Sequence, residues 1–253
     1  MTTDDDGVRR WMAALEARYL GNLRVPEVTR ALRALSATYV ERRTQGGRQH
    51  VHGALDTAGK RAAFAAYYAP LHFVAVTEVV RALGAGQPAP AAIIDLGCGT
   101  GVAGAAWALA AGGTPTVTGI DRHQWAVTEA NWTYGQLGVR GRARQGDMGR
   151  LASVRAPSSV IAAYTLNELP DDARRRLEDA LLAAAQGGAH ALVIEPISRT
   201  VAPWWTDAAA RVRARGGRAD EWRMPIDPPA IVQLFGEAAG LNHRELRLQS
   251  LFL

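Results

Sequence analysis

Val8, Trp11, Met12, Leu15 and Tyr19 recur at near-helical spacing, with Arg9, Arg10, Glu16 and Arg18 between them. That pattern predicts an amphipathic helix over residues 8–20. Pro26 suits the first turn of a second helix, which carries Val28, Leu32, Leu35 and Tyr39 on one face and breaks at Gly46 and Gly47. The polar stretch 45–53 predicts a loop. A third helical stretch covers 57–83, and Pro70 inside it is expected to kink or split it. Residues 84–90 form a Gly/Pro/Ala linker. The expected organisation is therefore a helical extension or lid over 1–88 and a second domain over 89–253.

From there the period changes. Apolar runs of strand length alternate with helical patterns: 91–96 then 102–111, 116–121 then 124–137, 143–145, 160–164 then 171–185, and 189–195 then 201–215. Repeated βα units predict a mostly parallel sheet of six or seven strands with helices on both faces. Residues 228–239 add a helix ending at Gly240, and 241–253 read as a terminal strand. The stretch 218–226 is expected to be loop or a short edge strand.

Composition narrows the class. The 253 residues are 48% apolar and 21% charged, so a sizeable core can form. Net charge is +5, and Lys60 is the only lysine. Heavy Ala, Arg and Gly use resembles a coding bias, so the basic balance permits an acidic partner without demanding one. Cys98 is the sole cysteine, which excludes an intramolecular disulfide and a cysteine-built metal or iron–sulfur cluster. Asp4, Asp5 and Asp6 stand where a signal peptide would be basic. No run of 18 uncharged apolar residues is present, so no membrane span and a cytoplasmic protein are expected.

The chemistry concentrates at strand ends. Ile93-Ile94-Asp95-Leu96-Gly97-Cys98-Gly99-Thr100-Gly101 is a buried strand, an acidic residue and three alternating glycines leading into a helix. Small residues let the backbone approach a ligand, and the helix start offers free N–H groups. Gly99, Gly101 and Gly104 also satisfy a dinucleotide-type spacing, which keeps a dinucleotide oxidoreductase open. Asp121 closes the next strand, where a carboxylate can accept both ribose hydroxyls or serve a helix N-cap.

The glycine run resembles motif I of the class I S-adenosylmethionine (SAM)-dependent methyltransferases, whose Rossmann-like fold the βα pattern matches. That resemblance implies SAM as cofactor and S-adenosylhomocysteine (SAH) as product. It places Asp95, Gly97, Cys98, Gly99 and Gly101 along the methionine and ribose portions, with Asp95 on the amino group. Asp121 and the adjacent Arg122 fall in motif II. Asp147 and Met148, after the third strand, map to the adenine site; a plain turn Asp competes. Tyr164, Asn167 and Glu168, after the fourth strand, face the reactive methyl group. Glu168 is the candidate base, and a helix cap or arginine pair is its competitor. Glu195 ends the fifth strand as a substrate-side candidate or an ion-pair partner. Tyr67, Tyr68 and His72 are pocket candidates on the helix before the core, against simple aromatic packing. Cys98 has no sign of being a nucleophile. His50-x-His52 lacks further ligands, so no metal is expected.

A closer resemblance is to the mitochondrial small-subunit ribosome-assembly methyltransferase-like family and its bacterial relatives. It is carried by Leu35-Ser36-Ala37-Thr38-Tyr39, the run from Phe64 to Pro70, the run from Ala163 to Leu169, and Glu195-Pro196. It implies helices packed on a class I core and work on small-subunit rRNA. The family's iron–sulfur cysteines are missing, and Trp204, Trp205 and Trp222 occupy the corresponding region. The expected activity is methylation of a small-molecule acceptor; an RNA- or ribosome-directed methyltransferase or non-catalytic binder is the alternative.

Overall fold

The computed structural model describes residues 3–20, 24–44, 55–149, 151, 153–241 and 244–253. His50 and His52 lie outside the described residues, as does the whole of the 45–53 loop expectation. In chain order the elements are α1 (Thr3–Leu20), α2 (Val25–Thr44), α3 (Ala58–Ala63), a π-helical turn (Phe64–Tyr68), α4 (Ala69–Leu83), β1 (Ala92–Leu96), α5 (Val102–Ala110), β2 (Thr116–Asp121), α6 (Gln124–Leu137) and β3 (Gly141–Gln145). They continue as β4 (Ser158–Ala163), a 3-10 turn (Leu166–Glu168), α7 (Asp171–Gln186), β5 (His190–Pro196), α8 (Trp205–Arg213), β6 (Arg218–Pro225), α9 (Ala230–Ala239) and β7 (Glu245–Phe252).

One seven-stranded sheet runs in the order β3-β2-β1-β4-β5-β7-β6. β1 to β5 are mutually parallel, and β7 is antiparallel to both β5 and β6. The central strands read as continuous apolar runs because helices cover both faces. Strand order reverses between β1 and β4, so a crevice opens at their carboxyl ends. The stretch expected as loop or short edge strand is the eight-residue β6, paired along its whole length with β7. Its charged residues, Arg218, Asp220, Glu221 and Arg223, hid the strand pattern, and charge suits an exposed edge.

Pro70 is absorbed without ending the helix. It cannot donate a backbone hydrogen bond, and its ring would press on the carbonyl four residues back in a regular helix. The turn before it widens instead: Ala69 N–H bonds Phe64 O, five residues back. The composite helix Ala58–Leu83 is long and apolar enough to cross a membrane by composition, but two thirds of its 18-residue apolar stretch is buried inside this fold. It serves as a core helix.

The N-terminal helices share one hydrophobic core with the sheet. Trp11 packs on Phe73 at 5.3 Å between ring centroids, and the same cluster runs through Tyr67, Trp107, Ile194 and Phe235. Two arginines tie the parts together. Arg18 of α1 pairs with Glu129 of α6 at 3.1 Å and lies over the Trp132 ring. Arg33 of α2 donates to the carbonyls of Ala238 and Ala239, at the negative end of α9.

The fit of α5 against the sheet is equally close. A Cβ on Gly104 would sit 2.7 Å from Val117 Cγ1 and 2.9 Å from Asp95 Oδ2. Gly104→Ala should therefore overpack the β1–α5 junction and cost about 1–3 kcal/mol. Urea unfolding measures this; an unchanged midpoint would mean that α5 shifts freely on the sheet.

Candidate active site

A cleft of about 950 Å³ opens at the carboxyl ends of β1, β2 and β4 and extends to the face of the helix that carries Phe64, Tyr68 and His72. Its inner half is built by the glycine turn. Gly97 follows β1 with φ of +64°, a conformation open to glycine at little cost. A Cβ there would collide with Thr165 Cγ2 at 2.5 Å and Met148 Sδ at 2.9 Å. Gly99, Cys98 and Thr100 complete the turn, and all line the cleft. Cys98 is buried, and burial together with nearby Asp95 and Asp121 pushes its thiol pKa up. It forms wall, and the raised pKa disfavours the thiolate that a nucleophile needs.

Asp121 stands at the mouth of this half. Its Oδ2 accepts from Gly99 N–H at 2.9 Å and its Oδ1 from His123 N–H at 2.8 Å. Each oxygen has a second lone-pair site, so the carboxylate can still accept two hydroxyls while the backbone pins it. The N-cap of α6 is supplied by His123, whose Nδ1 accepts from Trp125 N–H. Asp147 and Met148 line the adjoining wall. Asp147 also makes the turn bond, accepting from Gly149 N–H at 2.9 Å. Arg122 reaches across the cleft to Glu168, with nitrogen and oxygen 3.6 Å apart. This part fits SAM by the nature of its walls: a bare backbone for close approach, a carboxylate for ribose and an apolar neighbour for adenine.

The outer half is aromatic. Tyr164 leaves β4 with φ of +60°, the one non-glycine at positive φ among the described residues. Such a conformation costs on the order of 1–3 kcal/mol and must be held by its surroundings. Tyr164 N–H bonds Ile194 O at 2.7 Å, and its ring stacks on His72 with centroids 3.9 Å apart and 16° between planes. Burial lowers the His72 pKa to about 3, so the imidazole is neutral, and burial raises Tyr164. Phe64, Tyr68 and His72 follow one another every four residues along the helix and present one wall.

Four residues expected in the site lie outside the cleft. Asp95 is 1% exposed. Its Oδ2 accepts from Gly104 N–H at 2.8 Å, so it caps the first turn of α5 and does not line the cleft. Strand alternation turns it to the helix side. Gly101 faces Tyr134 and Ala130 of α6. Tyr67 is wholly buried and lies beside Gly236 of α9, one residue off the lining face. Glu195 is 0% exposed and receives Asn167 N–H and Nδ2–H, at 3.2 and 2.9 Å. It supports Asn167, which does line the cleft, and among the described residues it makes no ion pair. Arg174 is 13% exposed as a side chain; it pairs with Glu178 and lies 5.1 Å from the Trp204 ring centroid. Among the described residues no group of three metal-ligating side chains is assembled.

Ser36, Val201 and Leu241 line the cleft without having been foreseen. They come from three separate segments and carry no local signal. Phe64 and His123 had one, in the four-residue spacing with Tyr68 and in the position after Asp121-Arg122.

Burial pushes the Asp95 carboxyl up to about 7, with Asp121 adding to the rise and the Gly104 N–H opposing it. A raised carboxyl binds its proton more tightly in the folded state. Its contribution to stability is fully present below about pH 4, the ordinary carboxylate value, and is lost as pH rises through about 7. Asp95→Asn, which keeps an acceptor for Gly104, should therefore gain thermal stability over the parent on going from pH 5 to pH 8. Equal gaps at both pH values would show that Asp95 is ionised throughout.

A model of the methyltransferase domain family matches residues 93–188. No curated protein matches in sequence. Among solved structures, a proposed RNA methyltransferase of Pyrococcus horikoshii is similar at 14% identity, covering 81% of this chain and 85% of its own, with a TM-score of 0.49. Magnesium protoporphyrin IX methyltransferase of Synechocystis PCC 6803, with bound SAH, is similar at 17% identity over 72% and 83%, with a TM-score of 0.48. A SAM-dependent methyltransferase of Aquifex aeolicus is similar at 14% identity over 70% and 87%, with a TM-score of 0.47. The dinucleotide alternative falls with the family match, since the glycine spacing it rested on lies inside the matched segment. By its matched segment, its strand order and its glycine turn, the chain carries a class I SAM-dependent methyltransferase domain.

Proposed function

We propose that the protein transfers the methyl group of SAM to a small-molecule acceptor bound in the outer, aromatic half of the cleft. The observation that carries this is the charge of the walls. Among the described residues four carboxylates, Asp56, Asp121, Asp147 and Glu168, line the cleft against one guanidinium, Arg122; that arginine already faces Glu168, and Asp56 pairs with Lys60. Such walls suit a cationic sulfonium and repel phosphates. The net charge of +5 and the ribosome-assembly resemblance favour an RNA acceptor instead, but among the described residues Arg122 is the one arginine that lines the cleft.

Bound SAM supplies an electrophilic methyl carbon on a positive sulfur. The chain's own residues would then bind and align. Asp121 would hold the ribose, Met148 and Asp147 the adenine, and the Gly97–Gly99 backbone would let the reacting end come close. Asn167, fixed by Glu195, and Glu168, fixed by Arg122, stand where an acceptor would meet the methyl. In-line displacement needs little beyond this alignment.

Titration calorimetry should give micromolar SAH binding and none for NAD. Asp121→Ala should weaken SAH more than about tenfold, since two hydrogen bonds to a charged group are lost. Unchanged affinity would remove Asp121 from the ribose; NAD binding in place of SAH would overturn the cofactor assignment. A second measurement addresses the acceptor. A short RNA hairpin should bind weakly at physiological salt. Submicromolar binding that falls steeply with salt, and competes for turnover, would replace the small-molecule reading with the RNA one.

A further inference from the structure

His72 is chemically out of place for a packing residue. It sits on a buried helix, it lines the cleft, and one ring face is covered by Tyr164. Among the described residues neither imidazole nitrogen has a hydrogen-bond partner. Neither nitrogen is among the fully enclosed unpartnered polar atoms of the fold. A polar edge that is unpaired yet not sealed in faces the cavity it lines. Buried polar groups are normally satisfied, and an exception needs a reason.

Its neighbours define what could pair with it. Tyr68 lies 6.1 Å away between ring centroids, Phe64 follows at 6.3 Å from Tyr68, and Tyr164 is stacked at 3.9 Å. These rings make flat apolar walls. Tyr164 holds this stacked position with its backbone at φ of +60°. Strain kept at a strand end in a cleft points to use there.

We infer that the acceptor is a flat, largely apolar ring system bearing a hydroxyl, and that His72 accepts the hydrogen bond from that hydroxyl. This rests on the methyltransferase reading above and names its substrate class. A neutral imidazole suits the position: it can accept a proton, and it puts no second positive charge beside a sulfonium. Burial keeps it neutral, with its pKa near 3. On transfer, the hydroxyl oxygen bonds the methyl carbon as the carbon–sulfur bond breaks and its electron pair stays on sulfur, giving a neutral thioether. The hydroxyl proton passes to the imidazole nitrogen and from there to water. An oxygen that is becoming an oxonium is acidic enough to protonate even a weak base.

The test is binding, read by calorimetry with SAH present, using 2-naphthol and its near-isostere 2-methylnaphthalene. The parent protein should bind 2-naphthol at least about fivefold more tightly, the worth of one net hydrogen bond. His72→Phe should bind both probes equally, and His72→Gln, which keeps an acceptor, should retain a preference. No preference in the parent protein, no binding of 2-naphthol, or a preference that survives His72→Phe would each overturn the inference. The parent comparison needs no variant, so a misfolded substitution cannot mask the result. SAH affinity is measured in the same samples. Its absence with the hydroxyl preference intact would sink the cofactor reading and leave the His72 contact standing.

Discussion

The architecture turns on one buried carboxylate. Asp95 sits at the last turns of the central strand, wholly enclosed, and its Oδ2 receives the Gly104 N–H. That bond fixes where α5 begins relative to β1, and so fixes the path of the glycine turn between them. The turn in turn sets Gly99 N–H on Asp121 and brings the Gly97 backbone against Thr165 and Met148. Three strand ends, those of β1, β2 and β4, are thereby held in one place. Burying a carboxyl costs free energy, which is why its pKa rises. A neutral side chain would avoid that cost, but it would accept more weakly from the first turn of α5, where a negative charge is favoured.

The helical N-terminal part completes the cavity as much as it covers it. Without Phe64, Tyr68 and His72 the crevice over the sheet would be an open ledge. The π-turn is central to this. Widening the helix by one residue lets Pro70 stay in line, and the helix continues past it with His72 on the cleft side and Phe73 on Trp11. A residue that faces the core and one that faces the ligand are thus neighbours on one turn. The ties made by Arg18 and Arg33 hold that helix layer to α6 and α9.

The sequence made the fold legible where the periodicity was strong. Alternating βα units gave the parallel sheet, and the glycine run gave the site end of β1. It was less legible where side-chain direction decides. Asp95 and Asp121 both close strands before turns, and pattern alone treats them alike. The pleat sends one under a helix and the other to the mouth. Tyr67 and Tyr68 are adjacent in sequence, yet only Tyr68 reaches the cleft. Glu195 reads as a site residue because strand ends face ligands, but the Leu166–Glu168 turn folds over it and takes its hydrogen bonds. β6 was hidden because an edge strand can carry charge on both faces. Ser36, Val201 and Leu241 meet only through the tertiary fold, which no local window contains.

The electrostatics of the two halves explain why they adjoin. The inner half is acidic, with Asp121 and Asp147, and favours a positive sulfur. The outer half keeps its ionisable groups neutral or paired: His72 is neutral by burial and Glu168 faces Arg122, while Glu195, enclosed behind Asn167, is pushed up to about 8 by burial. An acceptor placed there meets no net charge that would compete with the sulfonium for it. On the proposed reading, methyl transfer turns a cation and a neutral acceptor into a neutral thioether, a neutral methylated product and a proton. A site that disperses charge on the acceptor side leaves that change of charge as the dominant electrostatic event, where alignment can act on it.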